Sequence, residues 1–550
     1  VTFDKTAPTL TSASIASDYS TNTLASTNDE ITVTLTASEV IAQPTVTFLS
    51  GGDPITNAGA ITYNNTSGNT WTAAYTAHTN DTDGAVSFTI SYSDLAGNAG
   101  TNVTSVTNAS SVTFDKTVPT LSGVGIVSNN PTDTLSIVND VITVTFTSSE
   151  AIATKVVTFL SGGDPITNAG AITYNNTSGN TWTAAYTAHT NDTDGVVTYS
   201  IVVGDLAGNP GTAVTTGSGS VTFDNTAPTL TSASITSDNS PATHANPGDV
   251  VTVTLAASVA ISQPVVTFKS GGNAVSDGSI TYVGSGANWT AAYTAGASDT
   301  EGAVSFAIAY SDLAGNAGTN VTSVTNASSV TFDKTAPTLT SASIASDNVI
   351  NSLTSPGGQM TLSIVSDEAI SQPTVTFLSG GNPITNAGAI TYSGSGTNWK
   401  ASYTTHESDV EGGISFNVIY NDLSGNAGTN VSAVTDASSV TFDKTPPEAS
   451  AAAITSGNSN TSLAIVDDVV TVTFTANVPI LQPVVTFLSG GEPVEDTSIT
   501  YTSSDGGTTW TASYTATIND KEGPISYSLI YKDLAGNEGR FASLTPSLGT

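Results

Sequence analysis

Carboxylates recur along this chain in fixed places, at a period of 109 to 111 residues. One closes each Val-Thr-Phe-Asp string: Asp4, Asp115, Asp224, Asp333 and Asp443. A second opens each Asp-Leu-(Ala/Ser)-Gly-Asn string: Asp94, Asp205, Asp312, Asp422 and Asp533. A third kind comes as Asp-x-(Asp/Glu)-Gly: Asp81/Asp83, Asp192/Asp194, Asp299/Glu301, Asp409/Glu411 and Asp520/Glu522. Glu39, Glu150 and Glu368 form a fourth set, which Val259 and Val478 interrupt. Hard oxygens gathered from loops are the ligand set of Ca²⁺, which accepts six to eight of them. The same residue types also make turns by bonding their own backbone, so each position carries both readings.

Other chemistries find little support. The 550 residues contain no Cys, which excludes thiolate nucleophiles, Cys metal ligands and disulfides. His78, His189, His244 and His406 are scattered and read as exposed strand-end residues. No nucleophile–His–carboxylate set recurs, and Ser50-Gly51-Gly52 reads as a hairpin turn rather than a phosphate loop. Carboxylates this abundant imitate a glycosidase pair by chance. The reading is therefore of a protein that is not an enzyme. Forty-five acidic against 10 basic side chains give a net charge of −35, which repels nucleic acid and anionic lipid and attracts cations. No apolar run reaches the ~20 residues that cross a bilayer. Asn-x-(Ser/Thr) sequons, such as Asn64, Asn80 and Asn102, matter only if the source glycosylates its surface proteins.

The elements that position the carboxylates are legible from alternation. In the first repeat Ile31, Val33 and Leu35 share one face of a strand, as do Val46 and Phe48, Ile61 and Tyr63, and Trp71, Ala73 and Tyr75. Val86, Phe88, Ile90 and Tyr92 make the longest such run. Period two with Thr between apolar residues marks strands with one buried face. Gly, Asn, Asp and Pro clusters separate the runs. About seven short strands in roughly 110 residues predict an immunoglobulin-like β-sandwich. The fold class is all-β: five tandem sandwiches forming an elongated rod, over 1–115, 116–224, 225–333, 334–443 and 444–550. With no disulfide, the Trp of each repeat and its aromatic neighbours are expected to carry the core. Residues 49–84 recur letter for letter at 160–195, the mark of duplication in a protein whose module number matters.

If successive strands reverse direction, the loops holding Glu39 and Asp94 return to the pole where Asp4 enters, and Asp81 and Asp83 lie at the opposite pole. Each joint then gathers carboxylates from two modules. At the first joint Asp115, Glu150 and Asp205 face Asp81 and Asp83. The later sets are Asp224 and Asp312 with Asp192 and Asp194, Asp333, Glu368 and Asp422 with Asp299 and Glu301, and Asp443 and Asp533 with Asp409 and Glu411. The expected device is a Ca²⁺ clamp that restricts bending. The linker between Phe114 and Thr120 is only Asp-Lys-Thr-Val-Pro, and its proline favours a semi-rigid joint. Strands of about 8 residues imply modules of about 40 Å and a rod of about 200 Å.

Asp4-Lys5-Thr6-Ala7-Pro8 at the start of a module and Asp94-Leu95-Ala96-Gly97-Asn98 near its end resemble the bacterial Ig-like domains of large cell-surface adhesins. The resemblance covers all five repeats. It implies an extracellular, cell-surface rod, often stiffened by calcium at the joints. The same domain type serves adhesins, surface-layer proteins and appendages, so its partners are neighbouring copies or other surface components. The expected function is a structural stalk. A self-assembling filament or surface-layer subunit is the alternative, and a glycan-binding module the less favoured one. Val1–Asp4 reads as the last strand of a preceding module, and the fifth repeat runs from Arg540 to Thr550 without reaching another Val-Thr-Phe-Asp. Both fit a piece of a longer array, and both also fit head-to-tail strand donation.

Overall fold

The computed structural model describes residues 1–56, 58–167 and 169–542. In the first module the strands are β1 (Leu10–Ser17), β2 (Leu24–Ala25), β3 (Glu30–Ala37), β4 (Thr45–Ser50), β5 (Asp53–Pro54), β6 (Thr62–Ser67), β7 (Thr70–Thr76), β8 (Gly84–Ser91) and β9 (Thr113–Phe114). Two sheets form, in the orders β1-β3-β7-β6 and β2-β9-β8-β4-β5. That is the strand order of an immunoglobulin-like sandwich. It recurs in the next three modules; the fifth keeps the first sheet, but among the described residues its second sheet has four strands, with none at the β2 position and with the last strand paired only to the β8 counterpart.

The alternation works as its period requires. Along β3 the buried residues are Ile31, Val33, Leu35 and Ala37, while Thr32, Thr34 and Thr36 face outward. Gly51 and Gly52 hold φ of +58° and +93° in the two-residue turn joining β4 to β5. That backbone needs glycine, because an L side chain there is strained.

Each module closes its own core. Phe48 and Tyr75 pack as a tilted pair with ring centroids 4.7 Å apart, and the same pair recurs in modules 2, 3 and 5. Val-Thr-Phe proves to be an integral strand. β9 pairs antiparallel with β8 and parallel with β2, sealing Val112 and Phe114 inside the first module. Residues 1–9 belong to no strand.

The tryptophans occupy a different place from the one their alternation implies. Trp71 is half-buried and packs on the rim of the core, whereas Tyr75 and the Phe residues are sealed. Trp71 lies opposite Leu35, close to the end of β3, and packs against the core while staying partly exposed. In modules 3, 4 and 5 the indole N–H donates to the carbonyls of Gly286, Gly396 and Gly507 in the preceding turn. A ring with a polar handle settles at such a boundary, and the smaller aromatics fill the centre.

Candidate metal centre at the module joints

The incoming linker, the loop after β3 and the loop after β8 meet at one pole. An isolated bridge between Ile41 and Asp94 ties the two loops together. At the first joint Asp115 follows β9, the last strand of module 1, with its N–H donated to the Ala25 carbonyl of that module. Its carboxylate nevertheless lies on module 2. There Asp115, Glu150 and Asp205 each place a carboxylate oxygen within 4.8 Å of the others. Asp4, Glu39 and Asp94 form the same triad on module 1, and Asp333, Glu368 and Asp422 form it on module 4. Val259 and Val478 leave modules 3 and 5 with only Asp224/Asp312 and Asp443/Asp533.

Electrostatics are unfavourable at the triads on modules 2 and 4. Burial pushes the Glu150 carboxyl above its ordinary range, and Asp115, Asp205 and Asp83 push it further. Glu368 is raised to about 7 by burial and by Asp333, Asp422 and Asp367. Burial raises Asp115, Asp224 and Asp443 as well. Like charges crowded in partly dry surroundings are costly without a counterion. No basic side chain among the described residues pairs with a triad carboxylate. Among the described residues the ion pairs are Lys521–Glu492 and Arg540–Glu538, both remote from the triads. Lys116 sits in the linker, but its Nζ donates to the carbonyls of Thr79 and Asp81.

The Asp-x-(Asp/Glu)-Gly loops lie at the opposite pole, and their two acids do separate jobs outside the triads. The first is spent inside its own module. Asp81 accepts the backbone N–H groups of Thr56 (2.7 Å) and His78 (2.8 Å). Asp192, Asp299, Asp409 and Asp520 each accept two backbone N–H groups in the same way. The second acid grips the linker. Asp83 accepts the N–H of Lys116 (2.9 Å) and the hydroxyl of Thr117 (2.5 Å). Asp194 holds Asn225 and Thr226, Glu301 holds Lys334 and Thr335, and Glu411 holds Lys444 and Thr445. The Thr335 and Thr445 hydroxyls hold Glu301 and Glu411 below the usual carboxylate range.

Two further sets of joint residues emerge from the structure alone. The Asn of Asp-Leu-(Ala/Ser)-Gly-Asn is a fastener. Asn209 donates its N–H and its Nδ2 to Asp205, and Nδ2 also reaches the Asp115 carbonyl (2.9 Å). Asn98, Asn316, Asn426 and Asn537 do the same at the other poles. Its recurrence in every repeat was the available signal. The second set is a latch on the loop after β1. Asn130 donates to the Ala314 carbonyl of the next module (2.9 Å). Asn239 reaches Ser424 (2.9 Å) and Asn348 reaches Ala535 (2.8 Å). Module 1 has Tyr19 there instead, lying against Gly208. That variation, in a Ser/Asn-rich loop, hid the latch from sequence reasoning. Among the described residues, the hydrogen bonds between modules all join neighbours in the chain.

No family model matches this chain, and no curated protein matches it. Among solved structures, it is similar to the I-band fragment I67–I69 of titin, at 12% identity, with 60% of this chain and 100% of that one covered and a TM-score of 0.26. It is also similar to the N-terminal eight Ig domains of Down Syndrome Cell Adhesion Molecule, at 12% identity, with 94% and 66% covered and a TM-score of 0.20. The fold assignment rests on strand order, not on these scores.

Proposed function

We propose that this chain is a non-enzymatic, extracellular spacer: the stalk of a cell-surface adhesin, built of five Ig-like modules and stiffened by Ca²⁺ at some of its joints. The observation that carries the reading is the absence, among the described residues, of a basic partner at the carboxylate triads. Three carboxylates from two modules and no cationic side chain suit a hard divalent ion, with water completing its shell. Asp115, Glu150 and Asp205 would hold the ion at joint 1–2, and Asp333, Glu368 and Asp422 at joint 3–4. The ion would supply charge neutralisation that spans the boundary. The linker grip, the Asn fastener and the latch already limit bending without it. Joints 2–3 and 4–5, with Val in place of Glu, depend on those contacts alone.

The test is solution scattering of the chain with millimolar Ca²⁺ and with a chelator, alongside a calorimetric titration. The reading expects a longer maximum dimension with Ca²⁺ and three bound ions per chain, one for each triad. An unchanged length together with no measurable binding at millimolar Ca²⁺ removes the calcium joint.

A further inference from the structure

A sandwich of two sheets has edges, and an unguarded edge invites another strand. In module 1 three of the four are closed. The loop after β8 covers β1: Ala13 N–H donates to the Thr107 hydroxyl (3.1 Å), Ile15 N–H to the Ser110 hydroxyl (2.9 Å), and Thr107 N–H to the Ala13 carbonyl (2.8 Å). β2, at one edge of the second sheet, is two residues long. At the other edge β5 is equally short, and the rest of β4 is capped. The Val46 N–H donates to the Tyr63 hydroxyl (3.0 Å), and Pro44, ahead of the strand, has no N–H to offer. In module 2 Lys155 stands in that proline's place, and lysine is itself a guard of edges. β6 is the fourth edge, and all of its residues but Tyr63 are exposed.

Ladder alternation fixes what that edge presents. Ala77 N–H bonds the Asp29 carbonyl and Ala37 N–H the Asn69 carbonyl, at the two ends of the β3–β7 pairing. Odd-numbered residues of β7 thus bond β3, and even-numbered ones bond β6 at Thr62 and Asn64. Tyr63 and Asn65 therefore turn their N–H and C=O groups outward, and among the described residues none of these four groups has a partner. Tyr174 and Asn176 do the same in module 2, where the strand Thr173–Ser178 has identical letters. From Pro54 to Asn80, and again from Pro165 to Asn191, the sequence has no acid, lysine or arginine, in a chain of net charge −35. The later modules guard the same edge. Gly284 and Gly394, at φ of +150° and +118°, interrupt the regular backbone where Asn65 stands in module 1. Lys400 lies opposite Ser393 in module 4, on the strand next to the edge. In modules 3 and 5 Asp277 and Asp496 accept the Thr294 and Thr515 N–H groups just ahead of the edge strand.

We infer that the β6 edge of modules 1 and 2 is a pairing surface for a second copy of this chain, strand against strand and antiparallel. A two-fold axis through Asn64 sets Tyr63 opposite Asn65 of the second copy, and Asn65 opposite Tyr63 of the second copy. Each such pair exchanges both of its outward N–H···O bonds. Asn64 then faces its own equivalent, amide to amide, in the close position between the two bonded pairs. The four-stranded first sheets of the two copies run on as one sheet. The occupant is a second copy because the edge complements itself. It is uncharged, free of proline, and offered twice per chain in the same letters, so module 1 of one copy fits module 2 of another equally well. Acidic loops elsewhere on the two chains oppose their approach, so the pairing depends on salt to screen them. This inference rests on sheet edges and on no cation, so its failure leaves the joint reading untouched.

The test is sedimentation velocity of the whole chain in chelator, across a concentration series at low and high NaCl. Dimers and larger species are expected, more of them at high salt. The double variant Asn64→Lys/Asn175→Lys sets like charges directly opposite each other across the pairing and weakens association several-fold. It does so although the two lysines bring the net charge from −35 to −33. Association governed by overall charge alone would strengthen instead. Because the chain has no cysteine, Asn64→Cys gives a direct check: under oxidation it forms a covalent dimer. Thr47→Cys, exposed on the outer face of the second sheet, does not. A chain that stays monomeric at millimolar concentration in high salt overturns the inference. So does association that survives or grows in the lysine variant, or cross-linking that is equal in the two cysteine variants.

Discussion

Phe332→Ala tests whether the five modules are energetically separate. Phe332 ends the Val330–Phe332 strand of module 3, is 0% exposed and lies in a core cluster drawn only from that module. Truncating a sealed Phe costs about 3–5 kcal/mol, from lost transfer energy and the cavity left behind. A module of about 110 residues unfolds with an entropy near 0.23 kcal/mol/K and an enthalpy near 75 kcal/mol. A loss of about 4 kcal/mol therefore lowers its midpoint by about 17 °C. Scanning calorimetry of the whole chain should show about one fifth of the total enthalpy moving down by that amount while the rest stays in place. Limited proteolysis just above the new transition should cut within 225–333 and spare the flanking modules. An endotherm that moves as a single block would refute the reasoning, because it would make the array one cooperative unit. Phe3→Ala, at an exposed position, should leave the endotherm of the dilute chain unchanged.

Three further outcomes follow from particular residues. Glu368 sits near 7 in the folded module, against an ordinary value of 4.5. The folded state thus binds a proton more tightly than the unfolded one between those values, and without divalent ions stability falls as pH rises through that window. Glu368→Gln should flatten the fall, as read from urea midpoints between pH 4 and 8; a parent midpoint independent of pH argues against the crowded triad. The Tyr75 hydroxyl is buried without a partner, whereas the Tyr403 hydroxyl donates to Asp409 at 2.9 Å. Tyr75→Phe should therefore be neutral or slightly stabilising, and Tyr403→Phe should cost about 1–2 kcal/mol in denaturant melts; equal costs would contradict the difference. Val259→Glu sets a third carboxylate beside Asp224 and Asp312, and calorimetry should then count one Ca²⁺ more per chain than in the parent.

Much of the fold was legible because period two fixes which face of a strand is wet. The strands around Val33, Phe48, Tyr75 and Ile90 lie where their alternation places them, and reversing strands brought Asp4, Glu39 and Asp94 to one pole. Alternation gives the face of a strand and not how deeply each residue on it is covered, which is why Trp71 read as core and lies on the rim. Residue type alone also could not separate Asp81 from Asp83. Both are acids in one loop, but two backbone N–H groups saturate the first and the linker occupies the second. The two-residue strands β2 and β5 are too short to show a period. The latch at Asn130 and Asn239 depends on the docking of two modules, which no local pattern encodes.

The parallel pairing of β2 with β9 bears on how the chain would behave under tension. The first strand follows β1 early in the module's chain and the second ends it, so a pull on the two ends loads them in opposite directions along their length. The Thr113 and Asp115 N–H groups, which donate to Thr23 and Ala25, are then loaded together in shear and not peeled one at a time. Modules 1 to 4 each carry such a parallel pair, so extension would meet four nearly equal barriers in series. A tether of this kind would yield module by module, and its length under load would rise in steps.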